Sequence, residues 1–107
     1  MTIKTIDLIA KKWLDKPAAN PYVSAQLTLN YGMKNEKTFY MPYELLYNEQ
    51  ITFEAVKLLV KENLIPGNYD GRALWRLRDE LKIIIRYTMH ENCKKKDVIA
   101  FGVKESD

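Results

Sequence analysis

The stretch DGRALWRLRDELKIIIRYTMHEN, Asp70 to Asn92, decides how the rest of the chain is read. Leu74, Leu77, Leu81, Ile84, Ile85 and Thr88 recur at spacings of three and four, which predicts one helix with a single inward face. A helix of about 20 residues at ~1.5 Å per residue spans roughly 30 Å, the width of a small domain. Asp70 is placed to cap its first turn, and Pro66 and Gly67 break whatever precedes it. All four arginines, Arg72, Arg76, Arg78 and Arg86, lie inside this stretch.

Downstream, NCKKKD is a basic connection to a final strand, Val98 to Val103, in which Ile99, Phe101 and Val103 alternate. Upstream, Thr52 reads as the N-cap of a helix that continues to about Leu64. Ile51 and Val56 form a hydrophobic staple across it, and Phe53, Ala55, Val56, Leu59 and Val60 turn inward. Before that helix lies a hairpin. Val23, Ala25, Leu27, Leu29 and Tyr31 alternate with polar residues as a half-buried strand requires. Gly32 to Lys37 turns the chain, and Thr38 to Met41 returns with Phe39 and Met41 inward, until Pro42 ends the hairpin. The N-terminal segment Thr5 to Lys16 fits a helix, because Ile6, Ile9, Ala10, Trp13 and Leu14 follow its apolar template. Pro17 to Pro21 then forms a short rigid connection.

The expected fold is a single α+β domain over residues 1–107, two-layered, with a three-stranded antiparallel sheet, three helices and the order α-β-β-α-α-β. A helix pair beside a hairpin is also the parts list of a winged helix-turn-helix protein. Here the hairpin precedes the helix pair instead of following it, so the chain would be a variant of that plan.

A content of 47% hydrophobic and 29% charged residues is ordinary for a soluble globular chain. The single cysteine, Cys93, leaves no intrachain disulfide and points to a reducing, cytoplasmic setting. MTIKTIDLIAKKW has no apolar core of a signal peptide, and no apolar run approaches the ~18 residues of a membrane span. Glycine-rich phosphate loops and hydrolase or zinc motifs are missing from the sequence. His90 and Cys93, three residues apart, could meet as base and nucleophile or as half a zinc site. The reading preferred from the sequence is a helix end, with His90 at the negative end of the macrodipole and Cys93 a small apolar filler. The chain is therefore expected not to be an enzyme and to carry no cofactor or metal.

Charge is the more informative signal. Gly71 to Lys96 holds eight basic residues against three acids, a local +5 that leaves −2 for the rest of a chain of net +3. At about 100° per residue, Arg72, Arg76, Asp79, Ile83, Arg86 and His90 gather opposite the apolar face, flanked by Trp75 and Tyr87. Arginine among aromatics suits phosphate pairing and base stacking, and the guanidinium fork offers geometry that the thirteen lysines lack. The expected nucleic-acid contacts, DNA foremost, are Arg72, Arg76, Arg86 and Lys82 on the helix, Lys34, Asn35 and Lys37 at the hairpin tip, and Lys94, Lys95 and Lys96 beyond. The alternative is a protein-interaction module or inhibitor, of the kind found as a phage or plasmid accessory protein. Trp75, Ile83 and Tyr87 would then form a partner or homodimer surface. The same three residues are also what a helix covered on two sides would bury as core.

Overall fold

The computed structural model describes residues 2–104. Its centre is strand β1, Thr5–Asp15, where the sequence pattern favoured a helix. Ile6, Leu8 and Ala10 are fully buried on one face, whereas Asp7, Ile9, Lys11 and Trp13 face the other way. That period-two burial is a strand's; the helical spacing of Ile6, Ile9, Ala10 and Trp13 arose because both faces of β1 carry apolar residues.

β2, Asn20–Leu29, lies antiparallel to β1 from Ile6↔Leu29 to Asp15↔Asn20, and buries Val23, Ala25, Leu27 and Leu29 as its alternation predicts. β3, Lys37–Leu45, lies antiparallel to β2 and does not stop at Pro42. The register between them shifts so that Pro42 and Tyr43 together oppose Ser24, a bulge on an edge strand. Edge strands and bulges are where a residue without an N–H is tolerated inside a sheet.

Helix α1, Gln50–Lys61, starts two residues before Thr52 and ends three before Leu64. Thr52 is buried and its hydroxyl donates back to the Glu49 carbonyl at 2.8 Å, so it does not cap the helix. Ile51 and Val56 are both buried, as are Ala55 and Leu59, but Phe53 is 43% exposed.

The expected long helix is two elements. α2 covers only Leu74–Leu81; Lys82 then takes a left-handed conformation at φ 58°, with its N–H bonded to the Leu77 carbonyl. Ile84–His90 leaves as strand β4, parallel to β1 from Thr5↔Ile84 to Lys11↔His90. The run Ile83-Ile84-Ile85, followed by Tyr87 and Thr88, favours a pleated strand, and the free edge of β1 pairs its backbone. Ile85, Tyr87 and Met89 pack toward the core and the residues between them face out. A 3-10 turn, Gly67–Tyr69, joins α1 to α2.

The last element is again not as expected: Lys95–Phe101 is helix α3, not a strand. Val98 is buried and Phe101 half-buried, a helical spacing of three. α3 lies across β2, β1 and β3 on the face opposite α1 and α2, and Val98 belongs to no part of the main core. The class is α+β, but with a four-stranded mixed sheet in the order β3-β2-β1-β4 and helices on both faces. The winged-helix comparison therefore does not hold, because α2 leads directly into a sheet strand instead of a groove-reading helix.

Asn30 ties the N-terminus to this sheet. It sits buried at φ 53°, its Oδ1 accepts from the Lys4 N–H at 2.7 Å, and its Nδ2 donates to the Thr2 carbonyl at 2.9 Å.

The break at residue 82 has a measurable sign. Lys82→Gly removes the cost of a left-handed side-chain-bearing residue and is expected to stabilise the fold by up to ~1 kcal/mol in urea unfolding. Within an uninterrupted helix the same change would destabilise it by ~1 kcal/mol.

Candidate functional site

The split of the long helix separates the arginines. Arg72 lies just before α2, Arg76 and Arg78 lie on it, and Arg86 lies on β4, on the side of the sheet away from the core. Arg76 pairs with Glu80 at 3.4 Å and Arg78 with Asp79 at 3.0 Å. Arg86 clasps its register partner Asp7 with two hydrogen bonds, Nη2 to Oδ2 at 2.9 Å and Nε to Oδ1. Those bonds hold the Arg86 guanidinium above even its usual pKa. Lys82 bonds the Asp79 carbonyl at 3.1 Å. α2 thus presents nearly balanced charge, each of its two arginines having an acid beside its Nε.

The proposed partner surface dissolves in the same way. Ile83 is buried, and Tyr87 packs against the core, where burial raises its phenol pKa. Trp75, half-buried, meets the Tyr87 ring edge-on with centroids 6.1 Å apart. The three do not share one exposed face. Lys34, Asn35 and Lys37 are exposed at the β2–β3 turn, beside the start of β1. Lys94, Lys95 and Lys96 stand at the opposite end of the sheet, where β1 and β4 finish. A ten-residue strand at ~3.3 Å per residue puts roughly 30 Å between the two groups. His90 and Cys93 do not form a reacting pair: the thiol lies 3.3 Å from the His90 carbonyl oxygen.

A different constellation gathers at the lysine end. Trp13 on β1 and Tyr22 on β2 are register partners, and their rings stack at 5.6 Å with planes 30° apart. Tyr22 stacks in turn on Tyr43 of the β3 bulge, at 4.9 Å and 5°. The three rings form a ladder across three strands, half-buried, on the face that carries α3. Burial, with Tyr22 and Asp15 nearby, pushes the Tyr43 phenol above its usual pKa. Beside Trp13 opens a cleft of about 360 Å³, lined by Leu14, Lys16, Asn92, Lys94 and Lys95 with Cys93 behind them. The Lys95 ammonium lies 5.3 Å from the Trp13 ring centroid, a cation–π contact. The Cys93 N–H donates to the Lys12 carbonyl at 3.0 Å and fixes the loop that forms the cleft wall. Lys16, Lys94, Lys95 and Lys96 make no ion pair among the described residues.

Sequence reasoning reached Lys94 to Lys96 and missed Trp13, Lys16, Tyr22 and Tyr43. With Thr5–Asp15 read as a strand, a tight turn over Lys16 to Ala19 would have set Trp13 opposite Tyr22.

α3 is held in place by the Ser24 hydroxyl, which donates to the Val98 carbonyl, and by Gln26 Nε2, which donates to the Phe101 carbonyl at 3.1 Å. Gly102 lets its C-terminal end meet the bulge: a Cβ there would lie 2.7 Å from the Met41 carbonyl oxygen and 2.8 Å from Ser24 Cβ. Gly102→Ala is expected to cost about 1–3 kcal/mol and to loosen the cleft wall. Gly67→Ala, with nothing within 4 Å, is the control that should change chemical denaturation little. Compared with protein-family models, curated proteins and solved structures, the chain matches none of them.

Proposed function

We propose that this chain is a small nucleic-acid-binding protein of accessory or regulatory type, which grips its ligand where β1 ends and α3 begins. The observation that carries the reading is the cleft beside Trp13, where Lys16, Lys94 and Lys95 converge around an aromatic face with no carboxylate partner among the described residues. Phosphates supply what those ammonium groups lack, and bases supply flat surfaces for the indole. None of the arginines expected to carry the contact lines this cleft, so the lysines take the role there.

Binding of a labelled oligonucleotide, measured by fluorescence anisotropy over a salt series, should weaken linearly in log K against log salt. Each neutralised phosphate contributes a slope of about 0.7–0.9. Replacing Lys16, Lys94 and Lys95 together by Gln should reduce that slope by about 2–3. Salt-independent retention on heparin and on DNA would overturn the reading.

A second reading has its own observation. β4 is an edge strand with neither proline nor bulge, and Ile84 upon it is 58% exposed, while the other edge, β3, carries Pro42 and a bulge. Unblunted edges pair with further strands, so β4 suits a second copy or a protein partner. Self-pairing would give a solution mass near twice 12.6 kDa. Ile84→Lys should return it to one chain.

A further inference from the structure

We infer that the cleft beside Trp13 takes an unpaired base, so that the ligand is single-stranded nucleic acid; this rests on the nucleic-acid reading above. The ladder of rings lacks a rung. The sheet has four strands, but β4 ends at His90, the partner of Lys11, two residues short of the level of Trp13. Tyr22 stacks on one side of Trp13; beyond His90 the chain no longer pairs as a strand but follows the β1 edge as a loop, the Cys93 N–H on the Lys12 carbonyl, and Trp13 borders the cleft between that loop and the strand.

Centroid separations of 5.6 and 4.9 Å repeat the spacing of neighbouring strands. One further step in the same direction puts a ring of ligand in the cleft, flat against the indole. Lys95 now holds that place by its ammonium alone. It is exposed and long, and can swing from the ring to a phosphate when a base enters, which exchanges a weak cation–π contact for base stacking and an ion pair. Lys16 and Lys94 flank the same opening and suit the phosphates on either side of the stacked nucleoside.

A duplex does not meet these conditions. Its bases are stacked on one another and show only their edges in the grooves, so no base face is free for the indole. Neither α2 nor α3 is free to read a groove. α2 has eight residues with Arg76 and Arg78 engaged by Glu80 and Asp79, and α3 is docked on the sheet through Val98 and Phe101.

The test uses the full chain carrying Trp75→Phe, which leaves Trp13 as the sole tryptophan. Its fluorescence is followed while adding a short oligothymidylate, the same length of abasic sugar–phosphate strand, or a duplex, all at one salt concentration. The oligothymidylate should quench Trp13 and bind at least about tenfold tighter than the other two. Trp13→Leu should lose that preference while keeping salt-dependent attachment to all three. The quench is read in a chain whose Trp13 is intact, so it stands even if Trp13→Leu fails to fold. Equal affinity for the abasic strand or the duplex, without quenching, overturns the single-strand inference and leaves nucleic-acid binding standing. Absence of binding to all three overturns both.

Discussion

Strand β1 is hydrogen-bonded along both edges, antiparallel to β2 and parallel to β4, and the rest of the molecule is arranged by that double pairing. A parallel neighbour cannot be reached by a tight turn; the chain must cross over the sheet and return. α1, the 3-10 turn and α2 make that crossing, and their buried residues Ile51, Val56, Leu59, Leu74 and Leu77 cover the inner face of Ile6, Leu8, Leu27 and Leu29. Removing any one of these leucines would cost about 2–5 kcal/mol, a large part of a small domain's stability. The left-handed turn at Lys82 is the price of entering β4 in register.

With one face closed, the other is left half covered. α3 occupies one part, held by Ser24, Gln26 and the absence of a side chain at Gly102. The remainder shows Asp7 with Arg86, Ile9, and the Thr28 and Thr38 hydroxyls 2.9 Å apart. These cross-strand pairs satisfy one another and leave little for a ligand, and an exposed ion pair such as Asp7–Arg86 contributes at most ~1 kcal/mol. Chemistry that remains unsatisfied concentrates where β4 runs out before β1 does. There the aromatic ladder ends on Trp13, and four lysines meet no acid among the described residues. The functional reading follows from this mismatch of strand lengths more than from the total charge.

The hairpin of β2 and β3 and the body of α1 were legible in the sequence, because Val23 to Leu29 alternates cleanly and Ala55, Val56 and Leu59 share one helix face. β1 and β4 were not. Both have apolar residues on each side, and such runs satisfy helical and strand templates together when neighbours are unknown. α3 failed for a related reason: seven residues with Val98, Ile99, Ala100 and Phe101 adjacent carry too little pattern to choose a period. Of the expected site residues, Lys94 to Lys96 lie at the cleft or next to it, while Arg86 found its carboxylate in space that sequence distance concealed. Asp7 and Arg86 stand 79 positions apart.

By itself the sequence determined the α+β class, the alternation that makes β2 a strand, the surplus of positive charge after residue 70, and the presence of a stretch that neighbouring residues alone could wind into a helix. Only the tertiary structure decided that this stretch breaks at Lys82, because an unpaired β1 edge offers backbone hydrogen bonds to β4 that local propensity does not count. It also decided which charges are free and which rings stack, since register brings together Trp13, Tyr22 and Tyr43 from three separate strands. Periodicity is a property of a segment, whereas the partner of an edge, an ion or a ring is a property of the whole fold.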